Sequence, residues 1–340
     1  MYDSKEYIRR LTASTVPSMR YGGKEPFDAW KLRAREKLAE LLGLPFAPCE
    51  DTLAVLSEKR CKGYRRLDFH FQSEDGCFVP CALLIPDGEK KPLAVCLQGH
   101  STGMHVSCGE EKYGGDGELI RGGRDFALQA LEWGYSALIL EQRYMGACGN
   151  IGGTPLCARR NAALPSLLLG RTAIGERVWD VCRALDVAEK YFSDRVDTEN
   201  ILCMGNSGGG TVTFYTACMD DRIKVCMPSC SVCEFEDSIV PFHHCGCNYI
   251  PSIRKYFEMG DLACMMADRA LVTVCGEKDP DFPLHGVVKS HTRALEVFRA
   301  NGREDYCVLI KGGEGHRFYP DEAWPEAKKR TDLLRRIESK

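Results

Sequence analysis

The 340-residue sequence has no run of about 18 or more consecutive apolar residues, so it offers no stretch suited to a membrane-spanning helix. It has no excess of one charge either. Its 45 basic and 48 acidic residues leave a net charge of -3, which argues against the clustered basic surface a nucleic-acid partner would favour. No internal repeat or low-complexity stretch appears. The opening MYDSKEYIRR is polar and charged, with no apolar region behind it, which argues against a secretory leader. Hydrophobic residues at 44% and charged residues at 27% are an ordinary globular balance.

Cysteine is not scarce. Nineteen residues is an odd count, poorly suited to a disulfide framework in a chain of this size. Many sit within apolar strand-like runs such as AVCLQGH, ILCMGN, LVTVCGE and YCVLIK, where cysteine acts as a small buried hydrophobe. The expected setting is a reducing cytoplasm.

The segment Phe27–Leu42 reads as a helix, with apolar residues at Trp30, Leu32, Leu38, Leu41 and Leu42, stopped by Gly43 and Pro45. YRRLDFHFQ and CFVPCALLIP read as strands around the turn SEDG. Strand-length apolar runs then alternate with helical stretches, the mark of a mostly parallel sheet flanked by helices. The expected strands are Leu93–Leu97, Ser136–Glu141, Asn200–Met204, Ile223–Met227, Ala270–Cys275 and Tyr306–Ile310. The expected helices are Asp125–Trp133, Thr172–Phe192, Gly209–Met219, Val287–Ala300 and Asp321–Ile337. One α/β domain is expected over residues 1–340, with residues 1–60 as a helical extension. Two stretches break the rhythm, 146–170 and 231–262. Each follows a strand on the side where such sheets bind ligands, and each reads as loop or cap material.

The strongest motif is Gly205-Asn206-Ser207-Gly208-Gly209, between the strand ILCM and a helix. G-x-S-x-G in that context describes a sharp turn that lifts a serine hydroxyl off the sheet. The glycines relieve crowding, and the next N–H, that of Gly208, points at a developing oxyanion. On such a sheet the order is nucleophile, acid, base. Asp279 follows the strand ALVTVC, with Asp281 as a competitor in the same loop. His316 ends the glycine-rich loop GGEGH after the last strand. The loop Gln98-Gly99-His100-Ser101-Thr102-Gly103 should supply the second oxyanion donor, the N–H of His100.

At these residues the chain resembles the acetyl xylan esterase and dienelactone hydrolase-like branch of the α/β hydrolases. The likeness runs through DAWKLRAREKLAELLGLP, LQGHSTG, LLLGRTAIGERVWDVCRALD, MGNSGGG, GEKDPDFP and GGEGHRFY. It implies an α/β-hydrolase fold, with Ser207, Asp279 and His316 as catalytic residues and the oxyanion position at His100. It also implies hydrolysis of an ester through an acyl-enzyme, without a cofactor. Two features depart from the cephalosporin-C deacetylases and acetyl xylan esterases. Gly208 stands where they usually have glutamine, and Arg143-Tyr144-Met145-Gly146 stands for their R-G-x-G, which points away from sugar deacetylation but not from hydrolysis.

Other constellations carry less. Cys226, Cys230 and Cys233 have iron–sulfur spacing but overlap a strand, whose alternate side chains face opposite ways. Cys230, Cys233, His243, His244, Cys245 and Cys247 could in principle hold zinc. In so cysteine-rich a chain the simpler expectation is a metal-free loop beside the pocket, with His244 and Tyr249 as substrate contacts. Arg143 and Tyr144 follow a strand end and are further candidates for substrate binding, though charges such as Glu141 and Arg143 more often clamp loops. The charges of the helix from Arg171 to Asp186 read as a solvated face of i,i+3 and i,i+4 pairs. The expected partner is a small or carbohydrate-linked ester, with no nucleic acid and no membrane, and homo-oligomerisation is left open. A peptidase-like hydrolase is the alternative within the class, and a binding protein of the same fold the alternative outside it.

Overall fold

The computed structural model describes residues 3–50, 52–151, 154–155 and 162–338. Its centre is a nine-stranded sheet. In chain order the strands are β1 (Ala54–Cys61), β2 (Tyr64–Glu74), β3 (Cys77–Pro86), β4 (Pro92–Leu97), β5 (Ser136–Leu140), β6 (Asp197–Asn206), β7 (Ile223–Ser229), β8 (Ala270–Gly276) and β9 (Cys307–Gly312). Their spatial order is β1-β2-β3-β5-β4-β6-β7-β8-β9. The pairs β1–β2, β2–β3 and β3–β5 are antiparallel; every later pair is parallel.

The central parallel strands are apolar over their buried stretches because both faces are covered there. Side chains alternate between two cores. In β4, Leu93, Val95 and Leu97 join one cluster while Ala94 and Cys96 join the other. The larger core is covered by the helices α1 (Phe27–Leu42), α2 (Ala173–Phe192), α3 (Gly208–Met219) and α4 (Leu284–Ala300). The smaller one is covered by α5 (Phe126–Glu132) and α6 (Pro320–Glu338). Each fully buried Leu or Phe contributes roughly 1.5–3 kcal/mol, so burial rather than helix propensity fixes these elements. Gly43 closes α1 at φ 83, and the chain leaves through Pro45 as the stop signal implied.

Residues 1–60 differ from an all-helical extension. A short helix spans Ser4–Ser14, capped by the Asp3 carboxylate, but Ala54–Cys61 is the edge strand β1. Its charged, largely exposed sequence AVLSEKRC hides it from any alternation rule, as suits an edge that must not pair with other chains. The sheet-end stretch 231–262 is built of turns and the short helices Ile253–Tyr256 and Met259–Ala263. In 146–170 the two-residue strands Asn150–Ile151 and Thr154–Pro155 pair; residues 152–153 and 156–161 of that stretch lie outside the described residues. Among the described residues, no helix is long and apolar enough to cross a membrane.

Candidate active site at the carboxyl ends of the parallel strands

Ser207 sits between β6 and α3 with φ 57 and ψ -124, a backbone region costly for a residue with a side chain and the shape of a nucleophile elbow. Its N–H donates to the Ser229 carbonyl at 2.8 Å, and its own carbonyl accepts from the Thr211 N–H at 2.9 Å. The turn depends on close backbone approach. A Cβ at Gly209 would lie 2.2 Å from the Leu97 carbonyl oxygen, and one at Gly208 would lie 2.9 Å from Cε1 of His100. The imidazole of His100 therefore occupies the space that a side chain after the serine would need.

His316 follows β9, and its Nδ1 lies 2.8 Å from Oδ2 of Asp279, which follows β8. The other oxygen of Asp279 accepts the N–H groups of Asp281 and Phe282 at 2.9 and 3.2 Å. Burial alone would push the Asp279 carboxyl up. The bonds from His316 and from those two N–H groups outweigh it and hold the group below its ordinary value. Phe282 stacks on the His316 ring at 5.8 Å between centroids, which fixes the ring plane. The competing Asp281 is exposed and turns toward the cavity rather than taking the bond to His316.

The loop after β4 is braced from the end of β5. The Glu141 carboxylate accepts the N–H of Met104 and of Ala147, each at 3.1 Å. Burial pushes Glu141 up to about 7 against those two bonds. The Gln142 side chain donates to the Gln98 carbonyl, and the Gln98 side chain donates to the Ser107 hydroxyl at 2.8 Å and the Arg124 carbonyl at 2.6 Å.

These elements surround an open cavity of about 680 Å³. Its lining includes His100, Arg124, Ser207, Gly208, His244 and His316. Arg124 had no signal in the sequence. Its Nε is buried without a hydrogen-bond partner, and among the described residues its guanidinium has no carboxylate partner. Burial pushes it down to about 10, which still leaves it charged at neutral pH.

Other expected contacts lie elsewhere. Arg143 is bound to Asp180 at 2.7 and 2.8 Å and to Glu74 at 2.7 Å, so it clamps β2 to α2 and does not line the cavity. Tyr144, at φ 69, donates to Glu176 at 2.5 Å within the same network. Glu176, Arg177 and Asp180 are buried, so this part of α2 is no solvated face; a sequence shows their spacing but not the acidic and basic neighbours that arrive from β2 and from the loop after β5. Tyr249 lines a neighbouring apolar cavity under the Ser4–Ser14 helix, and its hydroxyl donates to the Ile239 carbonyl at 3.3 Å.

The cysteines also separate. The thiol of Cys226 donates to the Thr213 carbonyl, that of Cys230 to the Arg317 carbonyl and that of Cys233 to the Pro283 carbonyl. Cys245 and Cys247 instead gather at His100, whose Nε2 is 3.2 Å from the Cys247 sulfur.

No protein-family model matches the chain. It is 26% identical over 248 residues to "Putative hydrolase YtaP" of Bacillus subtilis (strain 168), covering 70% of this chain and 78% of the relative. A crystal structure of a "putative acetyl xylan esterase" from Bacteroides fragilis NCTC 9343 superposes with a TM-score of 0.75 at 16% identity, over 96% of this chain and 84% of that one. A glucuronoyl esterase from Solibacter usitatus gives a TM-score of 0.69 at 14% identity, over 94% of this chain and 98% of that one. At such identities the likeness is one of architecture, and with the strand order above it establishes that this chain has the α/β-hydrolase fold.

Proposed function

We propose that the protein is a serine hydrolase acting on carboxylic esters through an acyl-enzyme. The observation that carries this reading is the strained Ser207 opening into the same cavity as a histidine held by a buried carboxylate. The Ser207 hydroxyl attacks the ester carbonyl carbon while His316 Nε2 takes its proton. Asp279 holds the proton of His316 on Nδ1 and stabilises the imidazolium without taking the proton itself. The N–H groups of Gly208 and His100 receive the oxyanion. His316 then protonates the departing alcohol, and water, activated by the same histidine, releases the acid.

The hydrolase and esterase names of the similar proteins support this class. The open, partly charged cavity favours a small or carbohydrate-linked ester over a long acyl chain. Arg124 adds that the substrate carries an anionic or strongly accepting group, because a half-buried guanidinium facing the cavity without a carboxylate is stabilised by one. A cytoplasmic setting belongs to the same proposal and is supported by the many cysteines in apolar strands.

A fluorophosphonate probe should label the wild type at Ser207 and leave Ser207→Ala unlabelled. A panel of neutral and carboxylate-bearing acetyl esters should then show the latter losing more kcat/KM in Arg124→Gln. Absence of labelling in the folded wild type would overturn the assignment.

A further inference from the structure

The loop after β4 and the loop 243–249 are far apart in sequence, yet they meet beside Ser207 through three groups. A ring nitrogen of His100 and the sulfurs of Cys245 and Cys247 all lie within 4.8 Å of one another. The His100–Cys247 separation is 3.2 Å. A tetrahedral zinc ion with bonds of about 2.3 Å to sulfur and about 2.0 Å to nitrogen places neighbouring donors roughly 3.5–3.8 Å apart, so the trio needs only small adjustments to close on one ion. The Cys-Gly-Cys spacing helps. Cys245 precedes the tight turn Gly246–Asn248, and both sulfurs come within reach of the same imidazole. Cys247 is buried against Met145, Ala163 and Ala173, and Cys245 packs on the same cluster, so the backbone that carries the donors is anchored.

We propose that His100, Cys245 and Cys247 bind a zinc ion that ties the loop after β4 to the loop lining the Ser207 cavity. Two thiolates and an imidazole are a zinc donor set. Binding releases the two thiol protons to solvent, and the two thiolate charges offset the charge of the ion, which suits a half-buried place. A tetrahedral ion takes one donor beyond these three. The ion would act by position. It fixes the His100 ring against Gly208, and with the ring it fixes the backbone N–H of the same residue at the mouth of the elbow.

The test uses the full chain, purified without chelator and without a metal-affinity step. Elemental analysis should find about one zinc per chain. Cys245→Ser and Cys247→Ser should each lower that to under about a tenth while the wild-type circular dichroism spectrum is kept. Cobalt(II) put in place of zinc in the wild type should show thiolate-to-metal charge-transfer absorption, a readout that stands even where a variant fails to fold. Three results would overturn the proposal. The first is a wild type that carries no zinc and takes up none when given an equimolar amount in competition with a metal indicator. The second is full zinc retention in both cysteine variants, or a cobalt form without thiolate absorption. The third is a Cys245–Cys247 disulfide in the freshly isolated protein, seen by mass. None of these readouts depends on ester turnover.

Discussion

Replacing Asp279 with asparagine exchanges an oxygen for an amide nitrogen, and the surrounding hydrogen bonds dictate which way the new amide faces. Oδ1 of Asp279 accepts two backbone N–H groups, from Asp281 at 2.9 Å and Phe282 at 3.2 Å, while Oδ2 meets Nδ1 of His316 at 2.8 Å. Turning the amide nitrogen toward the two backbone donors would lose both bonds and leave those donors unsatisfied, at a cost of about 1–3 kcal/mol each. The carbonyl oxygen therefore stays with the backbone, and the NH2 group faces His316. Nδ1 must then accept, which forces the imidazole proton onto Nε2, the atom that takes the proton of Ser207 in the proposed mechanism. The expected loss is about 10⁴ in kcat, equivalent to about 5 kcal/mol of transition-state stabilisation, with KM nearly unchanged. Steady-state hydrolysis of p-nitrophenyl acetate measures it, with Asp281→Asn as the paired control. Asp281 faces the cavity and makes no bond to His316, so its loss should be no more than a few-fold. Asp279→Asn retaining more than about a tenth of wild-type kcat, or the two variants ranking the other way, would refute the reasoning.

Ser207→Ala and His316→Ala should each lower kcat by on the order of 10⁴ or more, with melting temperatures close to wild type, because members of a triad act as a unit; near-wild-type turnover in Ser207→Ala would exclude the mechanism. Gly208→Ala places a methyl 2.9 Å from the His100 ring and must displace it. Since losing one oxyanion donor costs about 10²–10³, a partial displacement should cost roughly 10- to 100-fold in kcat, and an unchanged kcat would separate His100 from the oxyanion. Glu141 has a native value of about 7 against the ordinary 4.5, so the native state holds the proton more tightly and its stabilising share, up to about 3 kcal/mol, is present below pH 4.5 and lost as pH rises to about 7. Urea unfolding at pH 5 and pH 8 should show a wild-type stability difference that shrinks in Glu141→Gln, and equal differences in the two proteins would refute it. His244→Ala should shift the ratio of kcat/KM between acetyl and hexanoyl esters, whereas Tyr249→Ala, in the neighbouring cavity, should leave it within twofold.

The parallel half of the sheet was legible because its strands are buried on both sides. The runs LAVCL, ILCM and ALVTVC each became a strand within a few residues of the expected bounds. Order along the chain also announced that Ser207, Asp279 and His316 lie at strand ends, and the structure sets Asp279 rather than Asp281 against His316. What could not be read depends on contacts between distant segments. Arg143 looks like a pocket residue until Asp180 and Glu74 arrive from other elements to neutralise it. Arg124 looks like any surface arginine until the fold half-buries it beside the site, with its Nε enclosed and without a carboxylate. Cys245 and Cys247 look like partners for Cys230 and Cys233 by proximity in sequence, and only the chain path shows that they meet His100. Tyr249, one residue beyond the cavity-lining Asn248, is turned away by the tight turn Gly246–Asn248.

Two positions in the elbow stand two residues apart, and they would fail in different ways. Ser207 has its hydroxyl free of any role in the sheet, so under the proposed mechanism its loss should yield a normal quantity of inert protein. Gly209 lies against the Leu97 carbonyl, where a Cβ would come within 2.2 Å, so any side chain there pushes β4 and α3 apart. Substitution at Gly209 should therefore show itself as low yield and rapid clearance in the cell, with the surviving molecules too few to assay rather than too slow. A survey of variants that records activity alone would score both positions as equally essential. Recording abundance beside activity would divide the motif into a residue kept for its chemistry and a neighbour kept so that the chain can close around it.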